Sequence, residues 1–406
     1  VTLDRCLDKA VGNYPLIERY GLIEKTRAVQ LSDINKAWLP RVSVYGQATA
    51  QNAVPGFPNM LEGIMTQMGQ DVRGLGKLQY KVGADVTQTI WDGGHAASRR
   101  RLERAVADES AASVSVQIYA VRERVIDLFF KILLMQEQIA RTDDTISLLD
   151  ADLKMMRSMY ANGVAMQCDI DQLEAQLLTM RQQRTEAVSA VSGYRDMLSL
   201  YTGEALGDEE LVTPAAEMPG SLDSDRPELS LFDARTRLNA ARHAVTDVSL
   251  MPTVAFFAQA YYGYPGFNYF ESMMKRDMSF NILAGLKLTW NIDAFYTRRN
   301  SRTSMALADA SVANDRDVFL FNNRISCAAQ TDAIKGLRAV IADDDRITGL
   351  RRSIRQAAES QLRNGVIDVT ALLSRISDEN QAVLTASYHR IKLLHEIYKL
   401  KYTLNR

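Results

Sequence analysis

The sequence predicts a mixed fold of α-helices and transmembrane β-strands, in which very long helical hairpins accompany four amphipathic strands and the whole pattern is built twice. Three observations carry this reading. Landmark residues recur in the same order with a period of about 200 residues, too long for a solenoid unit and better read as a duplicated half. Four segments alternate strictly between apolar and polar side chains. Two helical patterns of about 65 residues each end at Asn-Gly, a stop that uses the left-handed conformation open to glycine.

The duplication rests on four landmarks in register. Leu39-Pro40-Arg41-Val42 is echoed by Met251-Pro252-Thr253-Val254, and Pro55-Gly56-Phe57 by Pro265-Gly266-Phe267. Trp91-Asp92 followed by Arg99-Arg100 matches Trp290-Asn291 followed by Arg298-Arg299, and Asn162-Gly163-Val164 matches Asn364-Gly365-Val366. The expected organisation is a first repeat over 1–202, a Gly- and Pro-rich linker with a short helix over 203–227, and a second repeat over 228–406.

Period-two alternation places strands at about 41–51, 78–91, 253–262 and 279–290. In the second of these, Leu78, Tyr80, Val82, Ala84, Val86 and Ile90 fall on one side, opposite Gln79, Lys81, Asp85, Thr87 and Thr89, and Gln88 breaks the pattern once. In the fourth, Phe280, Ile282, Ala284, Leu286 and Leu288 alternate with Asn281, Lys287 and Thr289. Helical periodicity then runs over about 96–160 and 301–362. At about 1.5 Å per residue, such helices reach roughly 100 Å. Each is expected to turn at a tip, 162–168 or 363–368, and return over 169–201 or 369–402 as a hairpin.

Four amphipathic strands leave sheet edges and an apolar face to be covered. The apolar face is light in large side chains and the opposite face carries Lys77, Lys81, Asp85 and Lys287, which suits lipid on one side and a watery lumen on the other. Lipid tolerates no open edge, so the strands must pool with other copies into a closed barrel. Trp91 and Trp290 at one end, with Tyr261 and Tyr262 at the other, read as interfacial belts. The same rings could cap a soluble sheet, since aromatics favour strands in any setting.

Composition excludes several classes. With 48 Lys+Arg against 49 Asp+Glu there is no basic excess for nucleic acid. Cys6, Cys168 and Cys327 are too sparse for a disulfide framework, and His95, His243, His389 and His395 fit no metal-binding spacing, so no metal, cofactor or catalytic residue is expected and the chain is read as no enzyme. Gly74-x-Gly76 falls between strands rather than at a strand-to-helix turn, too weak a signal for phosphate. No apolar run spans a membrane as a helix, and Cys6 is not placed for lipidation; a cleaved signal stays open.

The order of helix, strand pair and long hairpin, given twice, with Pro40 before the first strand, Trp91-Asp92 and Gly93-Gly94 after the second, and Asn-Gly-Val at both tips, resembles the TolC family of outer-membrane efflux proteins. The resemblance spans essentially the whole chain. It implies a homotrimer whose twelve strands close a barrel in the outer membrane of a Gram-negative cell, continuous with an α-helical tunnel in the periplasm. Such a channel passes drugs or other substrates delivered by an inner-membrane pump through a periplasmic adaptor.

By the same resemblance, Gly163, Val164, Gly365 and Val366 are expected to contact the adaptor, although a plain helix stop would use the same residues. Asp169, with Asp368 and Ile367 beside the second tip, is expected at the pore entrance, although an acid early in a helix also suits the positive dipole end. The second tip departs from the family pattern, with Ala371 and Ser374 where relatives carry aspartates, so Ile367 and Leu372 point to apolar closure there. Arg351, Arg352 and Arg355 read as a solvated face or as inter-helix ion pairs. A soluble coiled-coil scaffold that binds partners through its hairpins is the alternative, and the strand pairs are what it has no use for.

Overall fold

All four alternating segments form strands, and they make one antiparallel sheet in the order β1–β2–β3–β4. In this computed structural model, which describes residues 1–69, 74–207 and 209–406, the strands are β1 (Arg41–Ala50), β2 (Leu78–Trp91), β3 (Thr253–Tyr264) and β4 (Ser279–Thr289). The helices are α1 (Leu3–Asn13), α2 (Glu18–Lys36), α3 (Asn59–Gln67), α4 (His95–Ala161), α5 (Gln167–Thr202), α6 (Pro227–Val248), α7 (Tyr269–Lys275), α8 (Ala294–Arg363) and α9 (Val369–Leu404). No helix among the described residues is long and apolar enough to cross a membrane.

The sheet lies in a unit made of residues 24–108 and 235–311. Its register explains the sequence alternation. Val42, Val86, Ala258 and Ala284 make one cross-strand row, and Gly46, Val82, Tyr262 and Phe280 another, so these rows stack into a continuous apolar face. Gln88, opposite Phe256, is the polar intruder on that face. The register shifts between Thr89 and Trp91, which leaves Ile90 unpaired and sets Trp91 opposite Val254. Period-two reading cannot see such a bulge, because the extra residue moves the next side chain onto the face its neighbour would have held.

Close approach governs Gly83 on the other face. A Cβ there would stand 2.7 Å from both the Ala260 carbonyl oxygen and the Tyr261 Cβ. Short helices α3 and α7 begin just after the two Pro-Gly-Phe landmarks, and the Asn268 side chain accepts the Glu271 N–H at 3.2 Å as the cap of α7.

The second unit holds residues 1–23, 109–234 and 312–406, so both compact units draw on both halves of the chain. One core joins Leu3, Cys6 and Ala10 of α1 to Val125, Phe129, Phe130 and Ile132 of α4, with Leu198 of α5 and Leu206 and Leu211 of the linker. The linker contains no helix among its described residues, contrary to the sequence reading; it is held in extended form by its buried leucines and by Val212 N–H donation to the Val1 carbonyl at 2.9 Å. At its end, Arg226 pairs with Glu228 and lies over the stacked rings of Tyr119 and Tyr402, 5.1 and 4.9 Å from their centroids.

Gly83→Val is expected to weaken β2–β3 pairing by about 1–3 kcal/mol, since the side chain has nowhere to go. Gly46→Ala, which would meet only a Val82 methyl at 4.0 Å, is the control expected to be tolerated. The check is the thermal midpoint of the purified protein; equal midpoints for the two variants would contradict the packing described.

Candidate functional site: polar sheet face and hairpin tips

The polar face of the sheet gathers every charged side chain the strands contain: Arg41, Lys81, Asp85 and Lys287. Gln259 donates from Nε2 to Asp85 at 2.8 Å and to the Tyr45 hydroxyl at 3.2 Å. The Lys81 ammonium stands 5.7 Å from the Tyr45 ring centroid and 5.4 Å from that of Tyr261. Tyr261 therefore belongs to the polar face, where the strand alternation puts it, and is buried with its hydroxyl donating to the Pro265 carbonyl at 3.2 Å. Tyr262 is exposed on the apolar face opposite Phe280. Trp91 lies on that same face, and Trp290 donates from Nε1 to the Leu250 carbonyl at 3.0 Å.

The two hairpin tips are near copies of one another. Gly163 and Gly365 adopt φ of +74° and +69°. Val164 donates its N–H to the Met159 carbonyl and Val366 to the Gln361 carbonyl, both at 2.9 Å, which ties off the last turns of α4 and α8. Asn162 and Asn364 each donate from the side chain to the carbonyl four residues back, at 2.8 Å. With these turns closed by the backbone, Val164 and Val366 remain 70% and 69% exposed.

The tip carboxylates are engaged locally. Asp169 accepts the Met166 N–H at 3.0 Å, and Asp368 accepts the Ala371 N–H at 2.8 Å, each satisfying a donor at a helix start. Ile367 is half-buried and packs against the apolar cluster that joins Val369 and Leu372 of α9 with Leu173 and Leu177 of α5. Thr370 donates to Gln172 at 3.2 Å, a polar link between the same two hairpins.

Behind the tips, the arginines form inter-helix ion pairs. Arg351 meets Asp378 at 2.9 Å, and Arg355 is clamped between Glu359 and Glu379, all three of these last side chains being under a fifth exposed. Asp152 of α4, only 5% exposed, has one carboxylate oxygen without a hydrogen-bond partner. Burial, with Glu359 next, pushes its pKa up to about 6 against the opposing pull of Arg355 and Arg363. Sequence reasoning missed Asp152 because its partners lie about two hundred residues away, and no local pattern signals them.

Other titratable clusters are packing features. His395 sits 2.7 Å from Asp127 and stacks on Phe130, and burial lowers its pKa; His389 sits 2.9 Å from Asp344. Among the described residues no group of His, Cys, Asp or Glu is arranged to hold a metal.

Residues 30–204 match the family model described as outer membrane efflux protein. That stretch, under half of the chain, is similar to the family. Solved structures agree in fold at low identity. The outer-membrane channel OprN aligns with a TM-score of 0.71 at 13% identity, covering 99% of this chain and 89% of that one. CmeC, the outer membrane channel of Campylobacter jejuni, aligns at 0.67 and 14% over 99% and 85%, and the outer membrane protein VceC of Vibrio cholerae at 0.68 and 10% over 99% and 94%. No curated protein sequence matches the chain. The shared fold has the long helical hairpins and the four-stranded sheet read from the sequence.

Asp152 gives a pH signature with a definite sign. Its folded pKa lies above the usual 3.8, so the folded state holds the proton more tightly, and stability present at low pH is lost as pH rises from about 4 to about 6, by up to about 3 kcal/mol. Asp152→Asn is expected to raise the thermal midpoint at pH 7.5 and leave it nearly unchanged at pH 4. An equal shift at both pH values would contradict this.

Proposed function

We propose that this chain is an outer membrane efflux protein, the exit duct of an export system that extends into the periplasm, assembled from three copies that pool their strands into a twelve-stranded barrel. The observation that carries the reading is the four-stranded sheet itself: among the described residues β1 and β4 are paired on one side only, and one face is apolar but for Gln88 while the other carries the charges. The smallest membrane barrels need eight strands, so one chain cannot close one. Every unpaired edge group in hydrocarbon costs several kcal/mol, so further copies must supply the missing partners.

The long helices α4, α5, α8 and α9 then form the periplasmic tunnel, with the tips at its entrance. A periplasmic adaptor seats on Gly163-Val164 and Gly365-Val366, whose exposed valines offer apolar contacts on two rigid turns of the same shape. The duct is passive. An inner-membrane pump supplies the transport energy, outer-membrane lipid covers the apolar sheet face, and the chain performs no catalysis. Asp169, Asp368 and Ile367 stand at the entrance, where the carboxylates hold helix starts and Ile367 helps to keep the tips packed. We also read the halves 1–202 and 228–406, joined by 203–227, as the product of duplication.

Separate parts for assembly and docking predict separable defects. Replacing both tip segments, 162–166 and 364–368, by shorter turns is expected to abolish adaptor-dependent export while the protein still assembles in the outer membrane. Measured together, export and oligomer yield decide the matter: loss of the oligomer along with export would contradict the division of roles, and retention of export would contradict docking at the tips.

A further inference from the structure

The strands' charges are unbalanced as well as one-sided. Arg41, Lys81 and Lys287 stand on the polar face against a single carboxylate, Asp85, and that carboxylate is already engaged by Gln259 at 2.8 Å. None of the three cations has a salt-bridge partner among the described residues, and Arg41 and Lys287 are exposed. The bias extends through the unit that holds the sheet. Residues 24–108 and 235–311 carry a clear excess of Lys and Arg over Asp and Glu, whereas the rest of the chain carries the reverse.

Lys81 sits in a place made for it. Tyr45 and Tyr261 flank Gly83 on adjacent strands, and their rings lean toward the ammonium from either side. Opposite Lys81 lies Gly263, where a Cβ would fall 2.5 Å from the Lys81 Cβ, so the neighbouring strand leaves the lysine stem its room. The aromatic faces favour the charged ammonium and hold it in position without neutralising it, as a carboxylate would. Acids at the tips do not supply a matching negative filter of free carboxylates, because Asp169 and Asp368 accept N–H donors at the positive ends of their own helices.

We propose that the polar face of the sheet is an anion-attracting filter, with Lys81 in its aromatic cradle and Lys287 and Arg41 as its fixed cations, so that the duct favours negatively charged solutes. The inference rests on the channel reading above, in which this face lines the lumen. Rings of like charge around a pore concentrate the opposite ion and exclude their own kind. The effect is largest at low ionic strength, since the Debye length is about 30 Å at 0.01 M salt and only about 3 Å at 1 M.

The test is the reversal potential of the purified full-length protein in a planar lipid bilayer under a KCl gradient at low salt. Wild type is expected to favour chloride over potassium. Lys81→Glu with Lys287→Glu is expected to move the reversal potential through zero to cation preference, and Lys81→Gln to weaken the chloride preference. Lys287→Glu alone, at an exposed position, keeps the comparison available if the Lys81 variants do not assemble, and is expected to shift the potential in the same direction. Conductance steps with a potassium preference in wild type, or with a reversal potential that the Lys287 substitution does not move, would overturn the filter while leaving the channel intact. Absence of conductance steps from the assembled wild-type protein would overturn the channel reading and the filter with it.

Discussion

The unpaired outer edges of β1 and β4 are the constraint on which the rest depends. A backbone N–H or carbonyl can do without a partner only where water reaches it, and the apolar face of this sheet is exposed in the single chain and needs a cover. Edge pairing and face polarity therefore have to be solved together, by neighbouring strands of the same kind. The proposed closure of the sheet with other copies would satisfy both at once, and it would turn the polar face inward.

The helical parts answer a different physical demand. Here apolar stripes pack into discrete cores, one around Phe129 and Phe130 and another near the tips around Leu173 and Leu372, and ion pairs fill the spaces between. Arg355 between Glu359 and Glu379 satisfies its own charge well, but it leaves Asp152 as a buried carboxyl short of partners. Truncating a partner in such a set leaves an uncompensated buried charge, a far larger cost than loss of an exposed pair. The turns beyond this cluster are held by backbone donors and by glycines in the left-handed region, so they keep their shape with few side-chain contacts.

Much of this was legible in the sequence because the strands contrast their faces so sharply and the helices are so long. Leu78 to Val86 and Phe280 to Leu288 could be assigned side by side without knowing their neighbours. What escaped was whatever depends on register or on distant residues. The bulge at Ile90 moves Trp91 onto the apolar face, and the room Gly83 leaves beside Tyr261 shows only in the pairing of β2 with β3. Helices α3 and α7 were hidden by the Pro and Gly residues just ahead of them, and the linker proved extended because buried leucines, not helix propensity, decide its path. The tip acids carried a readable signal: an aspartate just ahead of an apolar run or three residues into it is a capping residue first.

The most direct test of the account is the protein mass of the native assembly after extraction, by light scattering corrected for bound detergent, together with its solubility when detergent is withheld. The account predicts a detergent-dependent particle of three times the 45.4 kDa of one chain. A monomer or dimer that stays in solution without detergent would contradict it, because the edges and apolar face of the sheet would then have found another cover.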